Sequence, residues 1–269
     1  MFRKAKRVRR LAAALPQMQS FWRGYSTWRR ARLWPVHREA TGPSEPPNDL
    51  EKFFGARGEG RGIWKWQHYF DIYDRHFSRF RGREVHLLEI GVHSGGSLEM
   101  WQDYFGPQAR IYGVDIQPSC KAFENGAVKI FIGDQGDRNF WKGFKAEVPR
   151  LDIVIDDGGH HTEQQIATFE ELLPYLRPGG VYLCEDLHVS FNRFAGYIYG
   201  FASNLNANYG WVRDRKNNER RLFCKASALQ SAVRAVHLYP FVAVIEKTDA
   251  PVDELVSPKH GTQWAPFSR

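Results

Sequence analysis

Two clusters of carboxylates and imidazoles, each closing an apolar run, hold much of the reactive chemistry of this chain. One is Asp156-Asp157-Gly158-Gly159-His160-His161, after Leu151–Ile155; the other is Glu185-Asp186-Leu187-His188, after Val181–Cys184. Side chains of these types bind cations and move protons. Gathered in one place, the acids resist ionisation unless something cationic sits among them. Apolar runs of this length read as buried strands, and Thr162–Leu176 between the clusters has helical periodicity. Strand, helix, strand is a right-handed crossover, so the two strands run parallel and both clusters end on one edge of the sheet. Open α/β sheets bind their ligands at that edge.

A second group lies upstream. Leu87-Leu88-Glu89-Ile90-Gly91-Val92-His93-Ser94-Gly95-Gly96-Ser97 ends a strand and opens a helix. Glycines there let the backbone approach a ligand, and the helix start offers free N–H groups. Asp115 follows Gly91 by 24 residues, at the end of the next strand, where an acid accepts ribose hydroxyls. Asp134, after the third strand, faces the adenine side of the same crevice. A glycine turn with acids on the next two strands fits an adenosine-bearing cofactor. The GxGxxG pattern of nicotinamide-dependent oxidoreductases is missing, and the paired acid clusters also argue against that class.

The elements that position these groups alternate. Val85–Ile90, Ala109–Val114, Val128–Ile132, Leu151–Ile155, Val181–Cys184 and Phe241–Glu246 read as strands; Ser97–Phe105, Asn139–Lys145 and Thr162–Leu176 read as helices. Aromatic residues from Trp64 to Phe80 recur at helical spacing and predict a helix with one core face, leaving Lys65 and His68 to explain. The expectation is an α/β fold, a doubly wound, mostly parallel sheet with a basic N-terminal extension. Residues 1–62 form the basic arm and a Pro- and Gly-rich linker, 63–250 one α/β domain, and 251–269 a C-terminal tail. Phe191–Tyr209, rich in aromatics and amides, suits an acceptor-binding lid or ordinary packing, and Arg213–Arg221 reads as a solvated loop.

The net charge of +8 is unevenly spread. Residues 1–38 hold 11 Lys and Arg and no acid, which leaves 27 bases against 30 acids for the rest of the chain. No basic stripe marks the folded domain, so a nucleic-acid partner is not expected. The arm mixes arginines with Phe21, Trp22, Trp28 and Trp34. That mixture suits peripheral contact with an anionic membrane, a partner subunit in a homo-oligomer, a transit peptide or a mobile tail. Cys120, Cys184 and Cys224 form no CxxC pair, and a cytoplasmic protein is the default expectation.

Glu89-Ile-Gly91, Asp115 and Asp134 resemble the successive motifs of class I S-adenosylmethionine-dependent methyltransferases. Within that superfamily, Trp66-Gln-His68-Tyr69, Leu88-Glu-Ile-Gly-Val92, Asp156-Asp-Gly-Gly-His160 and Glu185-Asp-Leu-His188 resemble metal-dependent sugar O-methyltransferases of the mycinamicin 2''-O-methyltransferase type. The similarity runs over roughly residues 64–250. His93 stands where the general E/D-x-G-x-G-x-G pattern has its middle glycine. The resemblance implies S-adenosylmethionine at Glu89, Gly91, Ser94, Asp115 and Asp134, with Tyr69 on a covering helix. It implies Mg²⁺ on Asp157, Glu185 and Asp186, His160 as the base, and a sugar hydroxyl as acceptor. Asp156, His161 and His188 receive no role from it. A methyltransferase for another small diol uses the same metal logic, and a non-catalytic binding protein is the remaining alternative.

Overall fold

The computed structural model describes residues 19–20, 22–24, 26–34, 46–188, 193–207, 212–213, 222–258 and 260–261. The chain divides into two compact units, Met1–Pro46 and Pro47–Arg269. In the first, Trp28–Ala31 is a short helix, α1; the rest of the basic arm's reading falls largely outside the described residues. Everything below concerns the second unit.

Its strands are β1 (His86–Ile90), β2 (Arg110–Asp115), β3 (Val128–Ile132), β4 (Leu151–Asp156), β5 (Leu176–Cys184), β6 (Val212–Arg213), β7 (Leu222–Lys225), β8 (Val233–Tyr239), β9 (Val242–Lys247) and β10 (Glu254–Ser257). Among the described residues, seven strands form one sheet in the order β3-β2-β1-β4-β5-β9-β8. β1 to β5 pair in parallel, while β9 and β8 add an antiparallel edge. The strand order reverses between β1 and β4, which opens a crevice at their carboxyl ends.

Both faces of the sheet are covered, which is why its central strands are continuous apolar runs. Leu87, Ile111, Ile153, Val181 and Leu183 pack with Tyr73, Phe77 and Trp101, from α3 (Tyr69–Phe77) and α4 (Gly96–Phe105). Leu88, Val114, Val154, Tyr182 and Cys184 pack on the other side with Trp141, Phe169 and Phe194. Those three lie on α5 (Arg138–Glu147), α6 (Thr162–Leu172) and α7 (Phe194–Ser203).

The structure redraws several expected boundaries. Residues 49–55, read as linker, form α2 (Asp49–Gly55), started by an Asn48–Glu51 capping box and anchored by the buried Leu50. The helix expected from Trp64 begins only at Tyr69, because the segment before it feeds Lys65 into the acid clusters. α6 stops at Leu172 rather than Leu176: Leu173 still has helical angles and bonds back to Phe169, but Pro174 has no N–H to carry the ladder further. Tail residues Glu254–Ser257 pair with β7 in a separate three-stranded sheet with β6. Of the expected lid, 193–207 are described, and 194–203 are helix α7, with Phe194 and Ile198 in the core. Most of Arg213–Arg221 lies outside the described residues. No described helix is long and apolar enough to cross a membrane.

Candidate active site

The acid clusters close β4 and β5, and the register Asp156↔Cys184 brings them side by side. They line a cavity of about 1150 Å³ that also takes in Gly91, Ser94, Asp115, Asp134, Tyr69 and His160. That volume exceeds the roughly 300–1,000 Å³ of a single-ligand pocket.

The cation that these acids require is Lys65. Its Nζ donates to Asp157 Oδ2 at 2.5 Å and to Glu185 at 2.9 and 3.0 Å, and lies 3.7 Å from Glu89 Oε1. Burial alone would lower its pKa, but Asp157, Glu185 and Glu89 outweigh that and hold it well above the ordinary lysine value. Glu185 is itself pushed up to about 8, by burial and by the charge of Asp157, against the pull of Lys65. Tyr73 donates to the same carboxylate at 2.6 Å.

The other carboxylate oxygens turn towards a different point. Asp157 Oδ1 lies 3.9 Å and Asp186 Oδ2 3.7 Å from His160 Nε2. One ligand atom from each of the three residues lies within 4.8 Å of the others. Asp186 is steadied by its remaining oxygen, Oδ1, which accepts from Tyr69 at 2.8 Å and from the Trp66 indole at 3.2 Å. His160 and Asp186 have φ of 53° and 54°, in the left-handed region that costs a non-glycine residue of order 1–2 kcal/mol. Such strain concentrates where a site holds side chains in place. The two carboxylate oxygens suit a divalent cation, and the imidazole beside them stands where it can take a proton.

The residues read as metal ligands therefore divide. Asp157 and Asp186 face His160, while Glu185 faces Lys65 and Tyr73. Asp156 is buried, accepts from Tyr182 and Gln135, and is pushed up to about 6 by burial. His161 is exposed at the start of α6, and His188 packs against Phe241 and Trp66.

On the other side of the cavity, Asp115 Oδ2 accepts from the N–H groups of Val92 and His93, and its Oδ1 accepts from Gln117 N–H. It holds the glycine turn. The Cys120 thiol also approaches this carboxylate, whose edge lines the cavity. His93, in the place of a glycine, takes a φ of 48°. Gly91 has a φ of 91°, and a Cβ there would lie 2.0 Å from the Asp157 carbonyl oxygen, so the turn and the first acid cluster touch. Asp134 accepts from Gly136 N–H and Gln164. Ser94 bonds the neighbouring His93 ring. Glu89 lies beneath the cavity wall, fully buried, accepting from Ser97 and raised by burial. Tyr69 lines the cavity together with the glycine turn, and its hydroxyl reaches Asp186.

Sequence reasoning missed Lys65, Tyr73 and Gln135 as members of the site. The need for a cation among the acids was the available signal for Lys65. Gln135 had none, since its amide joins Asp156 to the Gly159 N–H only in the fold.

A model described as a methyltransferase domain matches residues 88–187. The 8-demethyl-8-(2-methoxy-alpha-L-rhamnosyl)-tetracenomycin-C 3'-O-methyltransferase of Streptomyces olivaceus is 36% identical over 54% of this chain and 38% of its own length. The mycinamicin VI 2''-O-methyltransferase of Micromonospora griseorubida is 39% identical over 44% of this chain and 31% of its own. The solved structure of the MycE methyltransferase from the mycinamycin biosynthetic pathway, in complex with Mg, SAH and mycinamycin VI, superposes with a TM-score of 0.59. It is 27% identical and covers 75% of this chain and 55% of the MycE chain. The chain thus spans about half or less of the length of these relatives. Residues 88–187 match a methyltransferase domain, set in a Rossmann-like methyltransferase fold, and the chain is similar in sequence to the sugar O-methyltransferases.

Proposed function

We propose that this chain is an S-adenosylmethionine- and Mg²⁺-dependent O-methyltransferase acting on a sugar hydroxyl of a glycoside or polysaccharide. One observation carries the reading: Asp157, Asp186 and His160 converge on the wall of the cavity that the glycine turn, Asp115 and Asp134 also line. The relatives' names add sugar hydroxyls, and the MycE complex adds Mg and SAH.

The residues fit both groups. Asp157 Oδ1 and Asp186 Oδ2 would hold the cation, which when bound lowers the pKa of the acceptor hydroxyl. Lys65 and Tyr69 tie back the second oxygen of each carboxylate, so the two arrive already oriented. Glu185 joins them only if Lys65 withdraws. His160 takes the acceptor proton at Nε2. Asp115 holds the turn and faces the cavity, where it would meet the ribose of the donor. The size of the cavity leaves room for donor and acceptor together, which places the reacting atoms without a further encounter.

Calorimetric titration of the full chain with S-adenosylmethionine, with and without Mg²⁺, tests the reading. Donor binding, with heat from Mg²⁺ that Asp186→Ala removes, supports it. A chain that binds no donor is not a methyltransferase of this type.

A further inference from the structure

A second cluster with metal-binding side chains lies where α3 packs on the β8–β9 hairpin, and none of its members lines the cavity. The His76 imidazole is buried, with Nδ1 2.9 Å from Glu246 Oε1 and Nε2 2.9 Å from the Tyr239 hydroxyl. His237 stands two residues from Tyr239 on β8 and therefore on the same face. Its Nε2 lies 3.7 Å from Glu246 Oε2 and, though buried, makes no hydrogen bond. The two imidazoles pack edge to face, with centroids 4.7 Å apart. One nitrogen of each ring and one Glu246 oxygen all lie within 4.8 Å of one another.

We propose that His76, His237 and Glu246 form a separate site for a divalent transition-metal ion of the Zn²⁺ type, which staples α3 to the β8–β9 hairpin. Zinc bonds of roughly 2.0–2.1 Å in tetrahedral geometry separate ligand atoms by about 3.4 Å. His76 Nδ1 lies 2.9 Å from one Glu246 oxygen and His237 Nε2 3.7 Å from the other, so a small turn of the carboxylate brings one oxygen to both nitrogens. Two imidazoles with one carboxylate select zinc-like ions over Mg²⁺, which prefers oxygen ligands. A metal-bound imidazole donates its other N–H to an acceptor. The Tyr239 hydroxyl stands at His76 Nε2, so Nδ1 is the ligand nitrogen. The His237 ring is 37% exposed although its Nε2 is enclosed, so an ion enters past the ring. The staple has a consequence for the cavity: α3 also carries Tyr69 and Tyr73, whose hydroxyls hold Asp186 and Glu185.

The test uses the full chain, stripped with EDTA and titrated with Co²⁺ and then Zn²⁺. Asp157→Asn with Asp186→Asn silences the cavity cluster, and circular dichroism checks that this double variant folds. It is expected to bind one Co²⁺ with a visible absorption band that Zn²⁺ abolishes, and Zn²⁺ is expected to raise its Tm. Adding His237→Ala, at a partly exposed edge-strand position, removes the band and weakens Zn²⁺ binding by about 100-fold or more, and Tyr239→Phe weakens it about 10-fold. Glu246→Gln serves as an independent second variant. In the wild-type chain, the band also survives an excess of Mg²⁺. If the folded double variant binds no Co²⁺, or if binding survives both His237→Ala and Glu246→Gln, the cluster is a hydrogen-bond network only and the proposal is wrong.

Discussion

Replacing Lys65 with methionine removes the ammonium shared by Asp157, Glu185 and Glu89. Lys65, Glu185 and Glu89 have side chains 4%, 1% and 0% exposed, so water cannot take over the role of the ammonium. Methionine retains most of the stem's volume while leaving the carboxylates uncompensated. Breaking a buried ion pair in this way costs about 3–5 kcal/mol, which lowers a urea midpoint by about 1.5 M for an m-value of about 2.5 kcal/mol/M. The cost depends on pH in a defined direction. Glu185 already stands at about 8 rather than near 4.5, so the folded chain holds that proton more tightly than the unfolded chain. Stability contributed by such a group is full below its unfolded value and is lost as pH rises through the folded one. Without Lys65 the folded value moves higher still. The deficit of Lys65→Met is therefore largest near pH 8 and shrinks towards pH 5. Urea unfolding followed by circular dichroism at both pH values, without divalent ions, measures it. A midpoint within about 0.3 M of wild type at pH 8, where roughly 1.5 M is expected, refutes the assignment of Lys65 as the resident counter-ion.

Tyr73→Phe leaves the buried Glu185 without its 2.6 Å donor and is expected to cost about 1–3 kcal/mol in a thermal melt. Asp115→Ala releases the N–H groups of Val92, His93 and Gln117, and calorimetry is expected to show donor affinity falling about 10-fold or more. His160→Gln is expected to slow methyl transfer by about 100-fold at saturating Mg²⁺ while donor affinity stays within error of wild type. Normal turnover in that variant removes His160 from the proton transfer.

The parallel sheet is legible in the sequence because its strands are buried on both faces and end in polar residues that apolar packing cannot explain. Asp156-Asp157 and Glu185-Asp186 announce both the strand ends and the site. Their side-chain directions are not legible. Whether Glu185 faces a cation outside or Lys65 inside depends on a segment before α3 whose aromatic spacing reads as helix. Asp156 and Asp157 are neighbours of one type, yet strand alternation sends the first into the core against Tyr182 and the second to the cavity. The cluster of His76, His237 and Glu246 has no sequence signature, since about 160 residues separate the first from the others and only the β8–β9 register joins the pair.

Transfer of a labelled methyl group from S-adenosylmethionine to a rhamnoside-bearing glycoside, with Mg²⁺ and after EDTA, decides whether the cavity works as described. Labelled glycoside is expected with Mg²⁺, none after EDTA, and recovery when Mg²⁺ returns. Asp186→Ala is expected to bind the donor and transfer nothing. Transfer that EDTA leaves intact, or that survives Asp186→Ala, contradicts a metal-dependent mechanism at this site.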